Sequence, residues 1–571
     1  MILLPASFKY DLKRNKLTKM SFQIPVSNCT VAIPSLGKLE GFQYANGVQQ
    51  YCGIPYANLP RRWTRSTLKT SWEGDYHDGT KLGSDCPRPY FEGDDGDDLV
   101  PGPPNPSFPE PPKTDELDGL VMNIVLPFPP SERKVPVLVY VHGGSLLYGG
   151  ANLPIFDAVN LVSQSVEMEM PIVCVNFNYR VGLGGFMASE AILRELQQDG
   201  FQGCGNFGFT DQQVAFDWVQ RYIESLGGDP DRVTAVGESA GGISISNQLV
   251  AAHPPRCHRA VCMSGLSVSI PPWDMKQHEA LFQAVCRHFQ IDASRPDVLD
   301  CLRQIPQQEL ADATPEIQGV LSGTGNPCLD GWFYQRDPCE IQDPPAWLEA
   351  LMLGDTYHEG IIFHLNLLKD DFASIRKTLL DHIENENETD EILAEYNIHP
   401  GLSHKVLLER VEHMCGDAVF KIPNYATALK SMHLHEQKAL FLYHFDQRSR
   451  IQNALEGTAY HAHELLYLFQ NLKNKMSPEE RAMARDFAAA WIKFTCGEAP
   501  WTASKGDWKV WGQDSAQAIR SEEEDENVRL YARMRRLLAM GDGKTWKRWL
   551  NGVDALVNKR MNMGKGVQVA P

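Results

Sequence analysis

The sequence predicts an α/β architecture, a large and mostly parallel central sheet flanked by helices, on three observations. From Val121 onward, apolar runs such as VPVLVYVH, MPIVCVNFNYR, RVTAVGES and RAVCMSG alternate with segments of helical period, the pattern of strands joined by covering helices. Between Thr210 and Leu226, the residues Val214, Ala215, Trp218, Val219, Tyr222, Ile223 and Leu226 recur at steps of three and four, which gathers them on one helical face. Third, VTAVGESAGGISISNQLVAAH reads as a strand, a Gly-Glu-Ser-Ala-Gly turn and a helix.

The segments follow in order. Residues 1–34 are read as an N-terminal extension and 35–571 as a single domain. MILLPASF has only a short apolar run with no basic residue before it and is followed by Lys9, Lys13, Arg14 and Lys16, a poor match to a secretory leader. Short β-like pieces surround GKLEGFQYANGVQQYCGIPYA, and residues 92–113, opening EGDDGDDLVPGPPNPSFPEPP, carry too little apolar side chain to be buried and are expected to form a surface loop. Residues of about 280–320 and 365–440 lack strand signals and are expected to form a helical cap over the edge of the sheet, where lids gate access. The tail carries an acidic run, Glu522 to Glu526, and the amphipathic TWKRWLNGVDALVNKRM, read as a helix packed by its Trp and Leu face.

Composition narrows the function. With 54 basic against 72 acidic residues, a formal net charge of −18 disfavours nucleic acid and anionic membrane surfaces and fits a small-molecule substrate. Runs such as Val135 to Val141 are far shorter than the roughly 18 apolar residues of a membrane span, so no transmembrane segment is expected. The 13 cysteines show no framework of paired spacings, and several, such as Cys174 and Cys262, sit in apolar runs, as buried thiols do.

The chemistry starts at Ser239. Between Gly237 and Gly241, a serine on a sharp strand-to-helix corner has its hydroxyl presented at the sheet edge, the nucleophile elbow. A serine hydroxyl is a weak nucleophile until an imidazole takes its proton, and the imidazole needs a carboxylate to fix its tautomer. WLEALMLGDTYHEGIIF offers Glu359, after an apolar run and what reads as a Gly-Asp turn, and EGTAYHAHELLYLF offers His461 or His463 ahead of an apolar helix. YVHGGSLLYGG runs a strand into His142-Gly143-Gly144, exposing amides that could receive a developing oxyanion. No Gly-Lys-Ser/Thr follows it, which argues against a phosphate loop.

Taken together, GIPYANLP, VHGG, NFNYRVGLGGF, GNFGFTDQQVAFDWVQRYIESLGGDPDRVTAVGESAGG, GDTYHEG and HAHELLYLF resemble the type-B carboxylesterase and lipase family of cholinesterase-like α/β-hydrolases, over about residues 35–515. The resemblance implies an α/β-hydrolase fold in which Ser239 is the acyl-forming serine and Glu359 the triad acid. The family's His-x-x-Glu-Leu motif is satisfied by His461 to Leu465, which implies His461, not His463, as base. It places the oxyanion amides on Gly144, Ser145 and Ala240. Where many members have a third glycine this chain has Ser145, and Leu117-Asp118-Gly119-Leu120 stands where the family has Glu-Asp-Cys-Leu. Cys86 thus loses its customary disulfide partner, and the pairing that precedes Cys301 has no clear match, so the resemblance implies a cytoplasmic protein, a fungal intracellular member. The implied function is hydrolysis of a small-molecule carboxylic ester through an acyl-enzyme, with no cofactor and no metal. The alternatives are transesterase, lactonase or dehydratase-like tailoring chemistry on the same triad, and a non-catalytic interaction protein.

Overall fold

The computed structural model describes residues 22–89, 105–131, 133–314, 317, 325–334, 337–340, 344–434, 439–453 and 455–558. Most of the 92–113 loop lies outside these residues. The principal strands are β1 (Pro25–Ile33), β2 (Gly37–Tyr44), β3 (Val48–Pro55), β4 (Val121–Pro127), β5 (Val135–Val141), β6 (Val173–Phe177), β7 (Gly228–Glu238), β8 (Arg259–Met263), β9 (Ala350–Thr356), β10 (Ala439–Phe445), β11 (Trp508–Trp511) and β12 (Gln517–Arg520). They lie in one sheet in the order β1-β2-β3-β4-β6-β5-β7-β8-β9-β10-β11-β12. Every pair from β6 to β11 is parallel, whereas β1 to β4, the β4–β6 pair and the β11–β12 pair are antiparallel.

The parallel centre explains why its strands read as unbroken apolar runs. β5, β6 and β9 are buried at every position, because helices cover both faces and no face is left for polar alternation. On one side, Trp218, Val219 and Tyr222 of α1 (Phe207–Tyr222) share a core with Val137, Val139, Val233 and Ala235 of β5 and β7. On the other, Phe487 and Trp491 pack with Leu138, Tyr140, Val236 and Tyr443.

β1 falls within the segment expected to be an extension, and its pairing with β2 makes residues 25–33 part of the sheet. The two stretches expected to be helical hold, among others, α3 (Met275–His288), α4 (Phe372–Ile383), α5 (His404–Gly416) and α6 (Ile422–Leu434). The tail supplies β11 and β12 as well as α7 (Thr545–Asn558), which buries Trp546, Trp549, Leu550, Val553 and Leu556. Gly354-Asp355 is not a turn: both lie inside β9, where Asp355 is buried. Its charge is met by Arg529 Nη1 at 2.8 Å and His444 Nδ1 at 2.8 Å, while Arg529 also reaches Asp446. The C-terminal region is thereby tied to the ends of β9 and β10, and a buried charge is left with partners, as it must be.

All thirteen cysteines are free thiols, and Cys86 lies buried with its Sγ 3.5 Å from Gly119 O. Burial pushes the Cys86 thiol well up, so it stays protonated and unreactive. Reductant has no bridge to break. Mild reductant should leave stability unchanged within about 1 kcal/mol, against about 2–5 for loss of a native disulfide; a large drop in melting temperature with dithiothreitol would contradict the thiol assignment.

Candidate active site

The site is built at the carboxyl ends of β5, β7, β8 and β9, where parallel sheets place their functional loops. β7 ends at Glu238, α2 (Ala240–Val250) begins one residue later, and Ser239 between them has φ 55° and ψ −125°. A left-handed conformation at a residue bearing a side chain costs on the order of 1–3 kcal/mol and persists only where the surroundings impose it. Here they do: the Ser239 amide donates to Met263 O at 2.8 Å on β8, and its carbonyl accepts from Ile243 N at 2.9 Å in α2. A Cβ on Gly237 would lie 2.4 Å from Gly241 C, and one on Gly241 would lie 2.0 Å from Val141 O. Only glycines allow strand, helix and the end of β5 to meet so closely.

Glu359 opens a short 3₁₀ turn, Glu359–Phe363, after β9 and is fully buried. Its Oε1 accepts from Thr356 N at 2.6 Å and from Ser264 Oγ at 2.7 Å. Oε2 accepts from His461 Nδ1 at 2.5 Å. His461 is itself 5% exposed, and the backbone of the two segments is joined where His358 N donates to Ala459 O at 2.9 Å. Its other ring nitrogen, Nε2, lies 3.1 Å from Glu238 Oε1 but outside hydrogen-bonding geometry, so neither atom has a hydrogen-bond partner among the described residues. The imidazole is therefore held by Glu359 on its Nδ1 side, while its buried Nε2 has no hydrogen bond and stands against Glu238, the residue that precedes Ser239.

His463 is placed differently. Its Nδ1 lies 3.0 Å from Gln447 O, its ring stacks on Tyr460 at 4.5 Å, and burial pushes its pKa down to about 3. It is a buried core residue held at the Gln447 carbonyl. Next to Ser239, Gly143 comes so near that its missing Cβ would stand 3.1 Å from Ser239 Cβ. Gly144, Ser145 and Leu146 then turn with φ of 113°, 57° and 58°, and Gly144 O accepts from Leu147 N and Tyr148 N at 2.9 and 2.8 Å. Ser145 is exposed, while Ala240 is wholly buried at the first position of α2, where amides have no partner within the helix.

Three features had no sequence reading. Glu238 and Glu464 are buried carboxyls, Glu238 beside His461 and Glu464 near Glu238 and Glu359; burial first, then the neighbouring carboxyls, raises both well above the usual carboxylate range. Both lie inside the motifs already quoted, so their identity was legible and their burial was not. Phe420 packs its ring against His461 with centroids 4.7 Å apart. It is delivered by a π-helical turn, Asp417–Lys421, between α5 and α6, an irregularity that often marks functional sites and leaves no periodic signal.

Residues 27–538 match the Carboxylesterase family. The chain belongs to the carboxylesterase family. It is 28% identical over 485 residues to Lipase 3 of Yarrowia lipolytica, covering 82% of this chain and 89% of that protein. Over 501 residues it is 25% identical to the inactive carboxylesterase-like protein VdtD of Byssochlamys spectabilis, covering 80% and 81%. Among solved structures it resembles a PNB esterase, with a TM-score of 0.70, 25% identity and coverage of 89% of this chain and 99% of the other. The large parallel sheet with its strand–serine–helix junction is the α/β-hydrolase fold of these carboxylesterases, and this protein is a carboxylesterase.

The raised Glu238 carboxyl makes a stability prediction. The folded state keeps a proton that the unfolded chain loses above about pH 4.3, so its contribution is fully present below that pH and declines as pH rises toward the folded value. Gln cannot ionise. Glu238→Gln should therefore melt higher than the parent at pH 8.5, with the gap closing toward pH 5, by up to about 1.4 kcal/mol per pH unit within the window. A gap that is absent at pH 8.5, or that widens toward pH 5, would contradict a neutral Glu238.

Proposed function

We propose that the protein is a serine carboxylic-ester hydrolase in which Ser239 is the nucleophile, His461 the general base and Glu359 the acid of the triad. The observation that carries this reading is the imidazole of His461, held at Nδ1 by Glu359 and without a hydrogen bond at Nε2, which stands beside Glu238, the residue before the strained Ser239 elbow. The Nδ1 hydrogen bond sets the tautomer that leaves Nε2 as acceptor, the form able to take a hydroxyl proton.

In the proposed cycle Ser239 Oγ adds to the ester carbonyl as its proton passes to His461 Nε2. The tetrahedral oxyanion is received by the amides of Gly144, Ser145 and Ala240. His461 then returns the proton to the departing alcohol oxygen, leaving an acyl-Ser239 ester. Water, deprotonated by the same nitrogen, releases the carboxylic acid and restores the serine. Backbone donors at all three oxyanion positions tolerate Ser145 in place of glycine, though its side chain now stands at the loop that faces the acyl group. The substrate is a small-molecule ester; the names of the related lipase and PNB esterase support that class without choosing within it. The free thiols support a reducing compartment such as the cytoplasm.

Because serine and base act as a unit, Ser239→Ala and His461→Ala should each remove nearly all turnover of p-nitrophenyl esters, roughly 10³-fold or more, and the double variant should be little worse. His463→Ala, if folded, should retain far more. Loss with His463→Ala while His461→Ala stays active would reverse the assignment of the base. Running the same assay with an alcohol acceptor separates hydrolysis from acyl transfer by the ratio of acid to new ester.

A further inference from the structure

One group of titratable side chains outside the site just described stands directly against it. His358 and His364 flank the 3₁₀ turn that carries Glu359, one before its first residue and one after its last. Both reach the same carboxylate: Glu412 Oε1 lies 2.6 Å from His364 Nδ1, and Glu412 Oε2 lies 3.4 Å from His358 Nε2. Glu412 is 3% exposed and projects from α5. The His413 ring, one residue on, stacks on His358 at 4.1 Å with an interplanar angle of 14°.

The backbone is as closely joined as the side chains. A Cβ on Gly360 would lie 1.6 Å from Glu412 O, and one on Gly416 would lie 2.4 Å from Gly360 N and 3.1 Å from Glu359 Cβ. The acid-bearing turn is thus pressed onto α5 with no side chain between them. The π-turn that follows α5 brings Phe420 against His461. A single continuous stretch of helix therefore touches the acid at one point and the base at another.

We propose that Glu412 is a positioning residue for this acid–base pair: by holding the two histidines at either end of the acid-bearing turn, it fixes Glu359 against His461. The inference rests on the triad reading above. Among the described residues no group of three or more His, Cys, Asp or Glu side chains is placed to hold a metal ion, so the cluster acts through its hydrogen bonds. Burial pushes the Glu412 carboxyl up, but the hydrogen bonds from His358 and His364 outweigh it and leave it below its usual range. The bond to Glu412 likewise raises His364 against the opposing effect of burial, whereas burial holds His413 neutral, down to about 3. An ionised carboxylate between two imidazole donors makes stronger and more directional bonds than a neutral group in its place.

The test compares Glu412→Gln, His364→Ala and their double variant in p-nitrophenyl ester hydrolysis, at a temperature where melting curves show each to be folded, with Ser239→Ala alongside. Positioning acts on the reaction and not on substrate affinity, so kcat should fall about tenfold in Glu412→Gln and several-fold in His364→Ala, with KM within about twofold. The double variant should be no worse than Glu412→Gln. His364 has a side chain 32% exposed, so its variant carries the test if Glu412→Gln does not fold. Wild-type kcat in the folded variants, or a loss confined to KM, overturns the proposal. If Ser239→Ala abolishes turnover while these variants keep full kcat, the positioning role alone fails; if Ser239→Ala remains active, the triad reading fails with it.

Discussion

A serine held in a left-handed backbone conformation at the end of β7 has no local reason to stay there, and everything around it is arranged to keep it in place. The Ser239 amide is bonded to β8 and its carbonyl to the first turn of α2, so relaxing its φ would break one or both. The close approach of Gly237 to Gly241, and of Gly241 to the last carbonyl of β5, lets the helix leave the strand without a side chain prising them apart. The same packing brings Gly143 against Ser239 and so sets where the Gly144–Leu146 turn can run. Strain at one residue is thereby sustained by the buried parallel sheet as a whole, which is why so large a core serves so small a site.

Around His461 the problem is electrostatic. Two carboxyl side chains, Glu359 and Glu238, reach one imidazole, and a third, Glu464, is buried near both in a region with almost no solvent. Like charges so near one another in low dielectric cannot all be accommodated. Burial, then the neighbouring carboxyls, raises Glu238 and Glu464 well above the usual carboxylate range. Glu359 is distinguished by its partners, a backbone amide, a serine hydroxyl and the imidazole, all of which approach it as donors. The geometry thus marks one of three chemically identical groups as the hydrogen-bond partner of His461. Further out, Asp355 is matched by Arg529 and His444 and Glu412 by its histidines, so these two buried carboxylates have partners.

Much of this was legible in the sequence. The central strands announced themselves because a strand buried on both faces must be apolar throughout, and the α1 face because its period is helical. Ser239 was marked by glycines whose close approaches the structure explains. Glu359 and His461 were singled out by their motifs, and the structure brings these two together while leaving His463 in the core. Other features were hidden for physical reasons. β1 is an edge strand with mostly exposed positions, so it lacks the apolar signal of the centre. β11 and β12 have four residues each, too few for a period to register. Gly354-Asp355 looked like a turn because a buried aspartate in a strand is intelligible only once Arg529, far along the chain, is seen beside it. Phe420 and Glu412 come near the site through a π-turn and a helix whose placement no local pattern encodes.

The central claim is that Ser239, on its strained elbow, carries the acyl group. Rapid quenching of the protein with a p-nitrophenyl ester, followed by peptide mapping by mass spectrometry, reads this directly. The account predicts an acyl mass increment on the peptide containing Ser239, formed within the first turnover and lost as the carboxylic acid appears. An increment on a different serine, or turnover with no acylated peptide at any time point, would contradict it.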